Sequence, residues 1–327
     1  MRKISLVGMA LCFAIAASSA MAETMLRLSH HHAVDGAVDK TAKHFAELVS
    51  EKTGGRVTVR VFPGAQLGQE LEAFDLLNQG GLDMTVTAVS QMESAYPPVA
   101  VTSLPFIFRD WDHVREAFSG EFGDRLRSEL RDRSQVEILS YFGLGFRDML
   151  FIGEPAKTVE AMSGLRMRSP ENFIWISMFE SLGARPTPIT WGEVYTAMQT
   201  GVADGLDSPA ASAIDMKFNE VTKSLVRTRH MYSAMSLSAN KTTLQRLSPE
   251  DQQLVREAAL ETGIWADAEI AIPGEEAAYK KLAESGVAIH DVDNIEPWQK
   301  AVAPVWKIVT DRQDGSDQLI DMLTGGK

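Results

Sequence analysis

Apolar positions along this chain recur at a spacing of two, then three to four, then two again. Leu26 and Leu28 predict a short strand. Val38, Ala42, Phe45 and Val49 fall at helical spacing, and Thr53-Gly54-Gly55 breaks that helix. Val57, Val59 and Val61 alternate with Thr58 and Arg60 as in a half-buried strand, closed by the turn Phe62-Pro63-Gly64. Leu67, Leu71, Phe74 and Leu77 give a second helical stripe that Gly80-Gly81 ends. Leu82 to Thr87, rich in β-branched residues, reads as the next strand. The order is β-α-β-α-β, which builds a sheet with helices on its faces.

A second cycle follows. Asp110 starts a helix carrying Val114, Phe118 and Phe122, and Val136 to Phe142 is a strand. Gly164 to Arg168 predicts another strand, with a helix from about Glu171 to Leu182. Thr190-Trp191-Gly192-Glu193 has capping-box spacing and opens a helix ending near Gly201. Ser248-Pro249-Glu250-Asp251 is a stronger start, with proline at the first helical position. From there to Ile272 nothing stops the helix, although Gly263 weakens its middle. A helix of that length could bridge two lobes.

The N-terminus changes the picture. Arg2 and Lys3 precede an uncharged apolar run, Ile4 to Ala17, and Ala20-x-Ala22 supplies small residues for a cut before Glu23. That is the pattern of an export signal, too short to span a membrane. The expectation is a mature chain from Glu23, periplasmic and without stable membrane insertion. The single cysteine, Cys12, falls inside the signal, which excludes disulfides and thiol chemistry from the mature chain. Some 305 residues remain, enough for two lobes. The whole chain carries 32 basic and 44 acidic residues; without Arg2 and Lys3 the net charge is −14. Such a surface repels nucleic acid, so an anionic ligand would need a few local cations.

No G-x-S-x-G elbow, H-E-x-x-H or P-loop appears, and Gly143-Leu144-Gly145 lacks the third glycine of a dinucleotide fingerprint. His30-His31-His32 could ligate a metal, but consecutive strand residues point to opposite faces, so lining a cleft suits one of them better. Two arginines stand out. Arg147 follows a predicted strand, and Arg168 ends one just before a helix start. A guanidinium there can give two parallel donors to a carboxylate. The alternative for each is pairing with one of the chain's many acids.

Taken together, these segments resemble the substrate-binding proteins of tripartite ATP-independent periplasmic (TRAP) transporters, DctP type. The resemblance rests on ordered pieces across most of the mature chain. They include Phe62-Pro63-Gly64-Ala65-Gln66-Leu67-Gly68, Gly81-Leu82-Asp83-Met84 and Leu104-Pro105-Phe106. Further along stand Gly164-Leu165-Arg166-Met167-Arg168-Ser169-Pro170, Leu182-Gly183-Ala184-Arg185-Pro186-Thr187-Pro188, Glu193 to Gly205, and Ser248-Pro249-Glu250-Asp251-Gln252.

The resemblance implies an α/β, two-lobed periplasmic binding protein. Each lobe would hold a mixed β-sheet, with several chain crossovers and a long bridging helix. Chain order assigns 23–144 plus 232–272 to lobe I and 145–231 plus 273–327 to lobe II. It further implies that Arg168 grips a ligand carboxylate, that Arg147 assists, and that Trp191 lines the cleft. In the turn Asp204-Gly205-Leu206-Asp207-Ser208-Pro209, Ser208 stands where the family often has a ligand-binding asparagine, with Asp207 beside it. Glu171 stands where an amide is common, and would favour hydroxyls or an amine over a second carboxylate. His30, His31, Gln69, Glu70 and Ser90 are the candidates from the other lobe.

The function implied is capture of a small organic acid and its delivery to TRAP membrane permease subunits, without catalysis or cofactor, by a monomer. A sugar acid such as a uronate or aldonate comes first, an aromatic or short keto acid second. A periplasmic sensor feeding a receptor kinase or chemoreceptor would share the fold.

Overall fold

The computed structural model describes residues Glu23 to Gly326; the expected signal segment and the cut expected after Ala22 lie outside the described residues. Nine strands form the sheet: β1 (Thr24–Ser29), β2 (Val57–Phe62), β3 (Met84–Ala88), β4 (Val136–Phe151), β5 (Arg166–Ser169), β6 (Arg185–Pro188), β7 (Gly205–Pro209), β8 (Ser224–Asn240) and β9 (Ala288–Asp291). Their order is β2-β1-β3-β8-β4-β7-β5-β6, with β9 also on β8.

β4 and β8 have 16 and 17 residues, far beyond the usual ~5–6, because each runs through both halves of the sheet. Val136 to Gly143 pair antiparallel with β8 residues Ala234 to Asn240, and β8 there also holds β3, leading to β1 and β2. Beyond the bend, Arg147 to Phe151 pair with β7, which leads to β5 and β6, while the start of β8 pairs with β9. Each lobe thus has a mixed sheet, and the two share crossing strands.

The sequence predicts that the first crossing strand ends at Phe142, ahead of Gly143-Leu144-Gly145. The glycines bend the strand instead. The register slips between Gly143 and Phe146, and Gly145 has φ +103°, which a side chain rarely adopts. β8 alternates apolar and polar residues only in its second half, from Met235 to Asn240. It bulges near Arg229, a non-glycine residue at φ +44°.

The helical stripes bury as their spacing requires. Val38, Ala42, Phe45 and Val49 of helix Ala37–Thr53 are all inside, facing helix Pro249–Trp265. Each Val or Phe so buried contributes roughly 1.5–3 kcal/mol. Asp110 caps the helix it starts, accepting from the His113 N–H at 2.8 Å. That helix breaks at Gly120, so Phe118 and Phe122 sit on separate helices, Trp111–Ser119 and Glu121–Arg133, in one core. The Thr190 box does not form. Its hydroxyl instead donates to the Glu193 carboxylate at 2.6 Å, ahead of a single 3-10 turn and the helix Val194–Gln199.

Ser248 caps the long helix as its motif predicts, with Pro249 in the first turn. The helix then runs past Ile272 to Glu284 through a π segment at Ala266–Ala271. Pro273 lacks an N–H, and the wider turn before it accommodates that loss. Gly263 is a close approach rather than a weak point: a Cβ there would lie 2.0 Å from Ser140 Oγ and 2.6 Å from the Tyr141 carbonyl oxygen. Helix propensity alone would reward Gly263→Ala by about 1 kcal/mol. Overpacking against β4 should outweigh it, for a net loss of about 1–2 kcal/mol in urea unfolding. A raised unfolding midpoint would disprove this packing argument.

The chain ends by crossing back. Helix Glu296–Arg312 packs on helix Phe173–Ser181, and helix Ser316–Thr324 packs on Pro97–Ser103 and on helix Glu121–Arg133. Trp306 Nε1 donates to the Pro105 carbonyl at 3.0 Å.

Candidate functional site

At the bend of β4 a cleft opens between the sheet halves. One wall carries His31, His32, Glu70 and Ser90; the other carries Arg168, Trp175 and Trp191; Arg147, Tyr232 and Ser233 come from the crossing strands.

Arg168 is 3% exposed at the end of β5. Its Nε and Nη2 donate to the Ile189 carbonyl at 2.9 and 2.7 Å, and its guanidinium lies 5.3 Å from the Trp191 ring centre. Among the described residues it hydrogen-bonds no carboxylate. Burial, with Arg147 nearby, lowers its pKa to about 10. It remains a cation at neutral pH, short of an anion.

Arg147 is different. Its Nε meets Asp207 Oδ2 at 2.5 Å, its Nη2 the Asp207 carbonyl at 2.6 Å, and its Nη1 the Ser233 hydroxyl at 3.1 Å. Asp207, fully buried on β7, also accepts from Trp175 Nε1 at 3.0 Å and approaches His230 Nε2 at 3.3 Å. Burial pushes this carboxyl up, but the Arg147 charge and the bonds from His230 and Arg147 hold it well below the usual carboxylate range. The structure therefore makes Asp207 the counter-ion of Arg147. Ser208 also stays out of the cleft wall: its side chain is buried and its hydroxyl donates to the Pro209 carbonyl at 3.1 Å.

The three histidines separate because β1 ends at Ser29, so strand alternation does not govern them. His30 turns into the lobe to meet Asp39, with 3.2 Å between Nε2 and Oδ1. His31 and His32 both line the cleft, their ring centres 4.2 Å apart. Burial, then His30 and Arg168, lower His31 to about 3, so it is neutral at physiological pH.

Glu70 starts the helix Glu70–Gln79. Its carboxylate accepts from the Ala88 N–H at 2.6 Å and from Gln91 Nε2 at 3.3 Å, with His31 Nε2 at 3.7 Å. Burial raises its pKa, against the Ala88 hydrogen bond and the pull of His32, Arg168 and Arg147. Gln69 and Glu171 are exposed and lie at an outer pocket that shares Glu70, Arg168 and Trp191 with the main cleft. Ser90 is in the wall on the turn Val89–Ser94. Sequence reasoning missed His32, Trp175, Tyr232 and Ser233. Trp175 reads as ordinary helix core, and Tyr232 and Ser233 precede the alternating run Met235-Ser236-Leu237-Ser238-Ala239, outside the strands the sequence reading assigned.

The two halves also touch directly. Asp215 Oδ2 accepts from the Ala37 N–H at 2.8 Å, capping a helix that has no side-chain cap of its own. Gly36 allows this approach, since a Cβ there would stand 2.7 Å from the same oxygen. Asn172 Nδ2 donates to Glu93 Oε1 at 2.7 Å. Burial pushes Glu93 up to about 7, against that hydrogen bond. A carboxyl raised by folding favours the folded state fully below its unfolded pKa of 4.5 and loses that contribution as pH rises through about 7. Glu93→Gln keeps the acceptor without the charge. It should melt with wild type near pH 4.5 and above it near pH 8; parallel melting profiles would refute the assignment.

The model of the bacterial extracellular solute-binding protein family 7, DctP, matches residues 28–313. Solute-binding protein RD1_1052 of Roseobacter denitrificans is 33% identical over 75% of each chain. Its structure with bound L-galactonate superposes with a TM-score of 0.85, at 28% identity over 93% of this chain and 99% of that one. TRAP periplasmic solute binding proteins from Sulfitobacter sp. NAS-14.1, with bound β-D-galacturonate, and from Chromohalobacter salexigens, with bound D-glucuronate, both give 0.88. They are 28% and 29% identical, each over 92% of this chain and 100% of the other.

Proposed function

This chain belongs to the bacterial extracellular solute-binding protein family 7, the DctP family of TRAP transporters, and from that membership we propose that it captures a uronate or aldonate. Members of the family are periplasmic, bind small carboxylates and work with membrane permease subunits; they are binding proteins and not enzymes.

The observation that carries the ligand reading is Arg168, a buried cation whose hydrogen bonds go to a single carbonyl. A sugar acid supplies the missing anion, and Glu70, Ser90, His31, His32 and Ser233 offer partners for its hydroxyls. Trp191 presents an apolar face beside Arg168. Arg147 contributes from its paired position, its Nη1 directed at Ser233. The uronates and aldonate held by the solved relatives support the same class here.

The mature chain begins at Glu23, acts as a monomer, and divides near Gly145 and Tyr232, with the helices between Glu296 and Thr324 tying the lobes together. Mass spectrometry and light scattering of exported protein test the first two. For the ligand, a thermal-shift screen of uronates, aldonates, keto acids and C4-dicarboxylates is decisive, because a ligand at 100 times its Kd stabilises by about 2.7 kcal/mol. Uronates or aldonates should raise the melting temperature most. A response to keto acids or C4-dicarboxylates alone would overturn the reading.

A further inference from the structure

We propose that Glu70 sets the charge class of the ligand, so that the cleft takes a sugar acid with one carboxylate and rejects the diacid of the same carbon skeleton. The inference rests on the sugar-acid reading above. Two arginines and two acids line or back the cleft. Arg147 and Asp207 answer each other at 2.5 Å, which leaves Arg168 on one sheet half and Glu70 on the other.

A monoacid gives its carboxylate to Arg168 and turns hydroxyls toward Glu70. A carboxylate is acceptor-only, so hydroxyl donors suit it. One Glu70 oxygen is engaged by the Ala88 N–H at 2.6 Å. The other has only long contacts, Gln91 at 3.3 Å and His31 at 3.7 Å, and retains capacity for a ligand hydroxyl. Its place in the first turn of helix Glu70–Gln79, the Ala88 N–H and the Arg168 charge favour the ionised form, against the burial that raises its pKa. A diacid would instead bring a second carboxylate against this acceptor, whose side chain is mostly buried, so like charges would meet at short range. The nearest ring offers no compensating charge, because His31 is neutral there. Sequence reasoning gave this role to Glu171, but that side chain is exposed at the outer pocket.

The test is calorimetric titration of wild type, Glu70→Gln and Glu70→Asp with D-galacturonate and its diacid galactarate, and with gluconate and glucarate. Wild type should prefer the monoacid of each pair at least a hundredfold. Glu70→Gln should shrink that preference at least tenfold, chiefly by gaining the diacid, and Glu70→Asp should keep it. Wild type binding both members equally, or an unchanged preference in Glu70→Gln, overturns the inference while leaving the sugar-acid reading intact. Should Glu70→Gln fail to fold, the wild-type ratio and Glu70→Asp still decide, since loss of the preference in the charge-keeping variant overturns the inference. Failure of wild type to bind any of the four sinks the sugar-acid reading and this inference with it.

Discussion

Arg168→Lys should bind sugar acids at least a hundredfold more weakly than wild type, and Arg168→Met should show no measurable binding. Two of the five N–H groups of Arg168 already hold the Ile189 carbonyl. The remaining edge can still offer a carboxylate parallel donors, because the guanidinium is a rigid planar fork. An ammonium is a point charge on a shorter reach and cannot hold the carbonyl and a bidentate anion together. Truncating one partner of a buried charged pair costs ~2–5 kcal/mol, and a hundredfold change in Kd corresponds to about 2.7 kcal/mol. Stability of the empty protein should move the other way. An unpaired buried cation is a cost, so Arg168→Met should melt at or above the wild-type temperature without ligand. Calorimetry and thermal unfolding read both effects. Wild-type affinity in Arg168→Lys would remove the carboxylate clamp from this site.

Asp207→Ala should destabilise the protein by roughly 3–5 kcal/mol, with or without ligand. Asp207 is fully buried and is the partner of Arg147, Trp175 and His230 together. Its removal strands the Arg147 guanidinium, which is 9% exposed, in low dielectric. Replacing both members, as in Arg147→Met with Asp207→Leu, should recover most of the loss, since an apolar pair of similar volume leaves no uncompensated charge. The pH dependence follows from the direction of the Asp207 shift. A carboxyl depressed in the folded state contributes stability above its unfolded value of 3.8 and loses it as pH falls through its lower folded value. The pair should therefore hold through mild acid and fail only in strong acid. Denaturant unfolding of the single and double variants tests this, and a loss below about 1 kcal/mol in Asp207→Ala would contradict the pairing.

The two arginines show how far the sequence could be read. Both sit at strand ends in an acidic chain, and both could be clamp or structural ion pair. For Arg147 the structural pairing holds, yet with an acid inside the cleft's own framework. Arg168 and Asp207 were legible as members of motifs, but the partner of each was not. Trp191 and Ser90 line the cleft where the resemblance placed them, whereas His30, Ser208 and Asp207 turn away from it. The strands β4 and β8 were the hardest elements to read. A strand whose register shifts at a bend does not keep one alternation along its length, and a glycine that bends a chain looks like one that ends it.

What the sequence by itself determined is local or cumulative: the helical stripes, the strands around Leu26, Val59 and Met167, the caps at Asp110 and Ser248, the net negative charge and the family. Each depends on residues within a few positions or on sums over the chain. The tertiary structure alone decided which charge is free. Asp207 lies 60 residues from Arg147 and reaches it because β4 pairs with β7 in one register, while the guanidinium of Arg168 reaches no such acid among the described residues. Coulomb energy depends on distance and burial, and neither can be read from spacing along the chain.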